Sequence, residues 1–320
     1  HGIADHSGMS DLPLTHLSAY GPLFRSVVNL KRVRSAGRPG SWMERSFRRG
    51  WNRILREDAP ETTPSRSIAI EGTAEAILAT QLADAAGTVL REHGLSAQAA
   101  RDVRLRAFEE APLPNSPLRG LLRKEISSGR GTAERDQKED EPFAFVRALC
   151  EQPRAGVTAP GEPRLMLTPT ESHGDHCGAV AVLGVLLAPL FDADIAVVYL
   201  MGLAHHLHNA TLPDAGHAGD VILGDVARDL IDAGRSRAME EIPEALHGPI
   251  RSVLAHTEHI DSPEARAFHA ADALDRVLEI AWHAQTANFS LDTALDDYDL
   301  VHEGFAQEWQ ERVLEASGLP

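Results

Sequence analysis

The chain has 320 residues, 43% of them hydrophobic and only 5% aromatic, and a formal net charge of −16 at pH 7. This length is enough for one large domain or two modest ones, and the negative charge argues against a general nucleic-acid binder. Leucine, alanine and valine dominate the apolar residues, which favours helices over β-sandwiches or barrels. No uncharged apolar run reaches the roughly 18 residues that a membrane span needs.

Cysteine usage and the first residues indicate the compartment. Two cysteines, Cys150 and Cys177, cannot build a disulfide framework, so a reducing compartment is expected. The first residues contain neither the basic region nor the apolar region of a secretory signal, so no such signal is expected there. The sequence therefore predicts a cytoplasmic protein.

The N-terminal part of the chain is patterned as helices. A basic stretch over 31–56 carries Trp42, Phe47 and Trp51 at helical spacing, which predicts a helix with its apolar face packed and its arginines solvated. A docking patch for an acidic partner is the alternative. Further helices are predicted over 68–93, 97–111 and 118–126.

The polar stretch near 127–142 contains almost nothing apolar and predicts a loop or a domain boundary. We therefore divide the chain into a helical region over 1–128, a linker over 129–142 and a helical domain over 143–320.

The C-terminal part carries the strongest helical patterns. Residues 176–190 and 194–205 are nearly all apolar, which predicts two helices buried on most sides. Helices are also predicted near 221–233, 243–258, 262–284 and 297–316. Because no stretch reads as a convincing strand, the predicted fold is all-α.

Three residues in these helices are candidates for one site. His176 begins a buried helix, His205 ends the next one, and Asp272 lies in a helix that is predicted to be largely buried. Either histidine alone is more typical of a satisfied core residue than of a ligand. An unpaired buried carboxylate is costly, however, so Asp272 needs a cation nearby, either a metal or Arg276 one turn later.

This order of residues resembles the HD-domain metal-dependent phosphohydrolases. The flanks are similar to the branch that includes deoxyribonucleoside 5′-monophosphatases: Arg164-Leu-Met, Glu171 to His176, Ala-Gly-Asp220, and Ser-Pro-Glu-Ala-Arg266 before Ala-Ala-Asp272. The resemblance covers about residues 160–285. It implies an HD-type helical bundle, to which the helices predicted over 1–128 add an N-terminal helical region.

The resemblance also implies the roles of particular residues. His176, His205 and Asp272 would bind a divalent Mn, Co, Zn or Fe ion. Asp220 would lie near the substrate sugar and the attacking water, and Arg164 would bind the phosphate.

The chain departs from the family at three places. His206 stands where the family has the aspartate of its His-Asp pair, and it is a candidate fourth metal ligand. Asn209 replaces an acidic residue, so Asp214 is a candidate substitute for the missing general acid or base, with His208 or His217 as alternatives. His269, one turn before Asp272, is a candidate substrate contact, extra ligand or hydrogen-bond donor to the site.

The sequence therefore predicts a metal-dependent phosphohydrolase that acts on a nucleotide or another small phosphomonoester. Two alternatives remain open: an HD-type metalloenzyme with other chemistry, such as an iron oxygenase or a lyase, and a non-catalytic binding or regulatory protein. The expected partner is a small phosphate ester rather than a membrane or a nucleic acid, and a homodimer is one option.

Overall fold

A computed structural model describes residues 14–56, 66–86, 88–128, 142–287, 290–292, 294–295, 300–301 and 303–318. The N-terminal helices are α1 (Gly21–Val28), α2 (Trp42–Leu55), α3 (Arg66–Leu82), α4 (Val89–Glu92), α5 (Ala97–Glu110) and α6 (Pro117–Ser128). Short 3-10 segments cover Leu14–Tyr20, Asn29–Arg32 and Ala83–Ala86. All but the last residue of the predicted linker over 129–142 lies outside the described residues.

The C-terminal helices are α7 (Ala144–Glu151), α8 (His173–Phe191), α9 (Ile195–Ala204), α10 (Gly216–Leu223), α11 (Val226–Met239), α12 (Glu244–His256), α13 (Pro263–Ala287) and α14 (Gln307–Ser317), with a 3-10 turn over Leu207–Ala210. Within the described ranges the backbone forms only isolated β-bridges and no strand. The predicted all-α fold is confirmed.

Helix α8 is the centre of the fold, and its sequence explains both its ends and its burial. Ser172 and Asp175 form a capping box that satisfies backbone N–H groups at its N-terminus. The residues that follow are apolar on every side, so the helix packs against α9, α13, α2 and α3. It is long and apolar enough to cross a membrane, but 89% of that span is buried inside the protein, which is typical of a core helix.

Helices α8 and α9 approach each other closely because Gly202 has no side chain. A Cβ atom added to Gly202 would lie only 2.5 Å from the backbone nitrogen of Ala181, well inside van der Waals contact. Asp194 caps α9 by accepting hydrogen bonds from the backbone N–H groups of Ala196 and Val197. The close contact brings the end of α9 to the beginning of α8.

The N-terminal helices share the hydrophobic core of the C-terminal ones. Phe47 and Trp51 of α2 and Ile77 of α3 belong to the same buried cluster as Leu183 of α8 and Leu203 of α9. The apolar face predicted for the basic stretch is therefore buried.

The prediction that the arginines of this basic stretch are solvated is wrong for Arg45. The Arg45 side chain is buried and bound to Asp84, and the Lys31 side chain is buried as well. Both cations are held by carboxylates from other parts of the chain, which the local helical spacing could not reveal.

Three predicted helices differ from the observed ones. The helix predicted over 68–93 is interrupted after Leu82, where Ala83 has a φ of 49° and Asp84 turns away to bind Arg45. The helix predicted near 221–233 is divided at Gly224, whose φ of 53° ends α10. The last helix begins only at Gln307.

Candidate metal centre

Three histidines meet where α8 begins and α9 ends. His176 lies in the first turn of α8, and His205 and His206 directly follow the last residue of α9. One ligand nitrogen of each histidine lies within 4.8 Å of the others. The Nε2 atoms of His176 and His205 are 3.1 Å apart. This group could hold a metal ion, which agrees with the sequence prediction of a divalent metal cofactor.

The opposite nitrogen of each ring is occupied by an acceptor. Nδ1 lies 2.7 Å from Asp275 Oδ2 in His176, 2.8 Å from the Gly202 carbonyl in His205 and 2.9 Å from Asn209 Oδ1 in His206. When Nδ1 donates its proton in this way, the lone pair of a neutral ring remains on Nε2. Metal-binding histidines are oriented by the same kind of contact, and the Nε2 atoms of His176 and His205 approach each other as two ligands of one ion would. The residues therefore fit a metal.

Asp272 is brought to this group by α13, as predicted. Its Oδ1 lies 3.3 Å from His176 Nε2, and its Oδ2 lies 3.4 Å from the guanidinium of Arg276. Burial acts to raise the pKa of Asp272, but Arg276 and His176 outweigh it and hold the pKa well below its ordinary value. The carboxylate is thus ionised at neutral pH and has one oxygen directed at the histidines.

The protonation of the three rings is uneven without a metal. Burial and Arg154 act to lower the pKa of His176, but hydrogen bonds to Asp272 and Asp275 outweigh them and raise it. Burial and neighbouring cations hold the pKa values of His205 and His206 well below 6.5. Without a metal, His176 is therefore the ring of the three that takes up a proton most readily.

A cavity of about 360 Å³ opens beside the histidines. His205, His206 and Asp272 form one part of its wall, and Arg154 and Arg276 add two positive charges. Its volume lies within the range of small-molecule sites. The cavity can therefore accept an anion next to the candidate metal centre.

Arg154 is the arginine nearest to the histidines, and sequence reasoning missed it. Its Nη1 donates to His206 Nε2 at 2.7 Å, so it occupies the lone pair that His206 would offer to a metal. Arg164, the predicted phosphate contact, is exposed, does not line the cavity, and donates to the carbonyls of Ala155 and Ala215. The sequence around Arg154 matches no motif. The only signal for a role in the site was its position just ahead of residues 160–285, the part that resembles the HD family.

Asp214, Asp220 and His269 all line the cavity. Asp214 accepts hydrogen bonds from the backbone N–H groups of Ala155 and Gly216, both at 2.9 Å. Burial acts to raise the Asp214 pKa, but Arg154 and these contacts outweigh it and lower it. Asp220 is exposed, and burial of part of its carboxyl together with Asp214 raises its pKa. His269 directs Nε2 to the His259 carbonyl at 3.1 Å, so that nitrogen faces a backbone acceptor.

Two buried residues beside the site were not identified as site residues from the sequence. Asp275 orients His176, and its spacing of three residues from Asp272 on a helix was the available signal. His173 is fully buried, donates to the Gln152 carbonyl at 3.1 Å, and has no hydrogen-bond partner for Nε2 among the described residues. Burial and Arg154 lower its pKa to about 3, so it stays neutral.

Comparison of the chain with protein-family models, with curated proteins and with solved structures found no match. The geometry of the site is therefore what indicates a function.

Proposed function

We propose that this protein is a metal-dependent phosphohydrolase of the HD type that acts on a nucleotide or another small phosphomonoester. The observation that carries the proposal is that one ring nitrogen each of His176, His205 and His206 converge beside a cavity that also presents two arginines. A cytoplasmic location and a homodimer stay predictions.

His176, His205 and Asp272 would hold the metal. Nitrogen and carboxylate ligands in this combination suit Zn, Co, Fe or Mn. Such an ion supplies Lewis-acid polarisation of a phosphoryl oxygen and makes water more acidic. His206 would join the ligands only when Arg154 leaves its Nε2 atom.

The remaining cavity residues fit the handling of a phosphate ester. Arg154 and Arg276 offer guanidinium groups, which bind phosphate through paired hydrogen bonds. The ionised and fixed Asp214 is suited to accept a hydrogen bond from a substrate hydroxyl group. The raised pKa of Asp220 suits a residue that exchanges protons with the substrate.

One observation favours a second candidate function, a non-catalytic binding protein. The Arg276 guanidinium lies 3.4 Å from Asp272 and could replace a metal as its counter-charge. This contact uses only Oδ2, however, and leaves Oδ1 directed at His176. A dinuclear iron centre is less favoured, because the imidazole of His206 cannot bridge two metals as a carboxylate can.

Phosphate release tests the proposal. The protein is loaded with Mn²⁺ or Co²⁺, its metal content is measured, and a panel of nucleoside monophosphates is supplied. We expect hydrolysis of at least one, with His205→Gln reducing it by about 100-fold or more. His256→Gln is the matched control, because His256 on α12 contacts Ser262 and does not line the cavity. Bound metal without any phosphate release would contradict the proposal and favour a binding protein.

A further inference from the structure

Lys31 lies deep in the protein, far along the chain from the metal centre but close to it in space. It belongs to the 3-10 segment Asn29–Arg32 of the N-terminal region, and only 4% of it is exposed. The neighbouring Arg32 fixes this segment by stacking over Trp282 of α13, 3.8 Å from the ring centre. The N-terminal region is thereby anchored on the helix that carries Asp272 and Asp275.

Three carboxylates surround the Lys31 ammonium group. It contacts Glu171 directly, lies 2.8 Å from the Asp275 carboxylate and lies 3.5 Å from Glu279. Arg32 adds a second cation, 2.7 Å from Glu279. The ammonium group is thus enclosed by carboxylates from two distant segments of the chain.

The Asp275 carboxylate connects Lys31 to the candidate metal ligands. Its Oδ2 accepts a hydrogen bond from Lys31 and another from His176 Nδ1, at 2.8 and 2.7 Å. The ammonium group therefore fixes the carboxylate that orients the His176 ring. Without it, Asp275 loses the contact that holds its oxygen at Nδ1, and the His176 ring loses its fixed direction.

We propose that Lys31 is a positioning residue of the metal centre, through which the N-terminal region completes a site whose candidate ligands all come from the C-terminal helices. The lysine acts as an internal cation that holds Asp275, and Asp275 in turn holds His176 with Nε2 directed at the metal. This inference rests on the proposed function in requiring that a metal binds, and it does not depend on which reaction follows.

A Co²⁺ titration of Lys31→Met tests this inference, with affinity and the visible absorption spectrum as readouts. We expect the variant to bind Co²⁺ about 10- to 100-fold more weakly, as is typical when a group that orients a ligand is lost. The bands of the bound ion should also shift, because His176 is no longer fixed.

Arg104→Met is the matched control. Arg104 is a buried cation of the N-terminal region, 3% exposed and 2.6 Å from Glu75, and it does not line the cavity. It should lose stability in urea but keep the wild-type Co²⁺ affinity within about twofold. If Lys31→Met does not fold, Lys31→Gln, which removes the charge but keeps a hydrogen-bond donor, takes its place in the titration.

The outcomes separate this inference from the proposed function. A folded Lys31 variant with the affinity and spectrum of the wild type overturns the role of Lys31, whatever its loss of stability. Wild-type protein that binds Co²⁺ but releases no phosphate contradicts only the hydrolase proposal. Wild-type protein that binds no Co²⁺ contradicts both.

Discussion

Arg154 and Arg164 have the same chemistry and lie on the same connecting segment, but they face different surroundings. The Arg154 guanidinium lies in the cavity wall against His206, and that of Arg164 lies outside it against backbone carbonyls. A phosphate in the cavity can reach the first group with only a local side-chain movement. Substitution of each arginine in turn therefore tests which of the two binds the anion.

We expect Arg154→Met to weaken inhibition by inorganic phosphate by about tenfold or more, since a charge-assisted hydrogen bond contributes about 1.5–3 kcal/mol. Arg164→Met should change it by about twofold at most, because an exposed cation outside the cavity is screened by solvent. The measurement is the inhibition constant of phosphate in the metal-loaded enzyme. Equal losses in both variants, or a larger loss at Arg164, would restore Arg164 as the phosphate contact.

The raised pKa of His176 predicts how metal binding depends on pH. Below the His176 pKa a metal must displace the proton of that ring, whereas His205 and His206 are already neutral. Acidification below the His176 pKa should therefore weaken Co²⁺ binding by about tenfold per pH unit, and affinity should level off above that pKa. Co²⁺ titrations from pH 6 to 8 in two buffers of different ionisation enthalpy measure affinity and proton release together. An affinity that does not change with pH would show that His176 carries no proton to displace.

At this scale the sequence predicts residue types better than their partners. His176, His205, His206 and Asp272 could be nominated because helix ends and helical spacing are local properties. The contacts of Arg154 and Lys31 could not, because their partners lie 52 and 244 residues away. Asp275 was within reach, since it shares a helix face with Asp272.

Between elements, the contact of α8 with α9 determines how far apart the histidines lie. Gly202 permits this contact, and its carbonyl also accepts the hydrogen bond from His205. A methyl group at this position would push the two helices apart and turn the imidazole. Packing and ligand geometry are therefore determined by the same residue.

We expect Gly202→Ala to destabilise the protein by about 1–3 kcal/mol or more, the usual effect of overpacking a core, and to weaken Co²⁺ binding as well. Gly120→Ala is the matched control, since an added Cβ there meets nothing within 4 Å on the exposed side of α6. The control should gain about 0.5–1 kcal/mol, because alanine favours a helix interior over glycine. Urea unfolding measures both variants, and a Gly202→Ala protein as stable as the wild type would show that α8 and α9 can separate without cost.

The position of a helix could be predicted from the sequence where its apolar periodicity continued to both of its ends. The Ser262-Pro263 pair gave the start of α13 correctly, whereas α8 begins at His173, three residues before the predicted start, because Ser172 caps it there. The division of the helix predicted over 68–93 was not foreseen, since Asp84 leaves the helix to bind a cation from another segment. Tertiary ion pairs overrode local propensity at that point.

At the scale of the whole molecule, the two helical parts that were predicted from the sequence share one hydrophobic core. Side chains of α2 and α3 contribute to the same buried cluster as α8 and α9. If either part unfolded alone, apolar surface of both parts would become exposed to water. We therefore expect the two parts to unfold together.

The tryptophans allow a direct test, since Trp42 and Trp51 lie in α2 whereas Trp282 and Trp309 lie in α13 and α14. In one double variant Trp42 and Trp51 are replaced by phenylalanine, and in the other Trp282 and Trp309 are replaced. Each protein then keeps tryptophans in one of the two parts only. In each, the urea midpoint from fluorescence should match that from circular dichroism of the same protein. Two separated midpoints would mean that residues 1–128 form an independent domain.

The ion pair between Lys31 and Asp275 also has a consequence for the order of events during synthesis. The two residues are 244 positions apart, so at about 5–20 residues per second roughly 12–50 s pass between their additions to the growing chain. Glu171, 140 positions after the lysine, is the first of its three carboxylates to be added, and Asp275 and Glu279 follow only later. We therefore expect the N-terminal segment to reach its final position only after α13 has left the ribosome, so that unfinished chains cannot sequester metal.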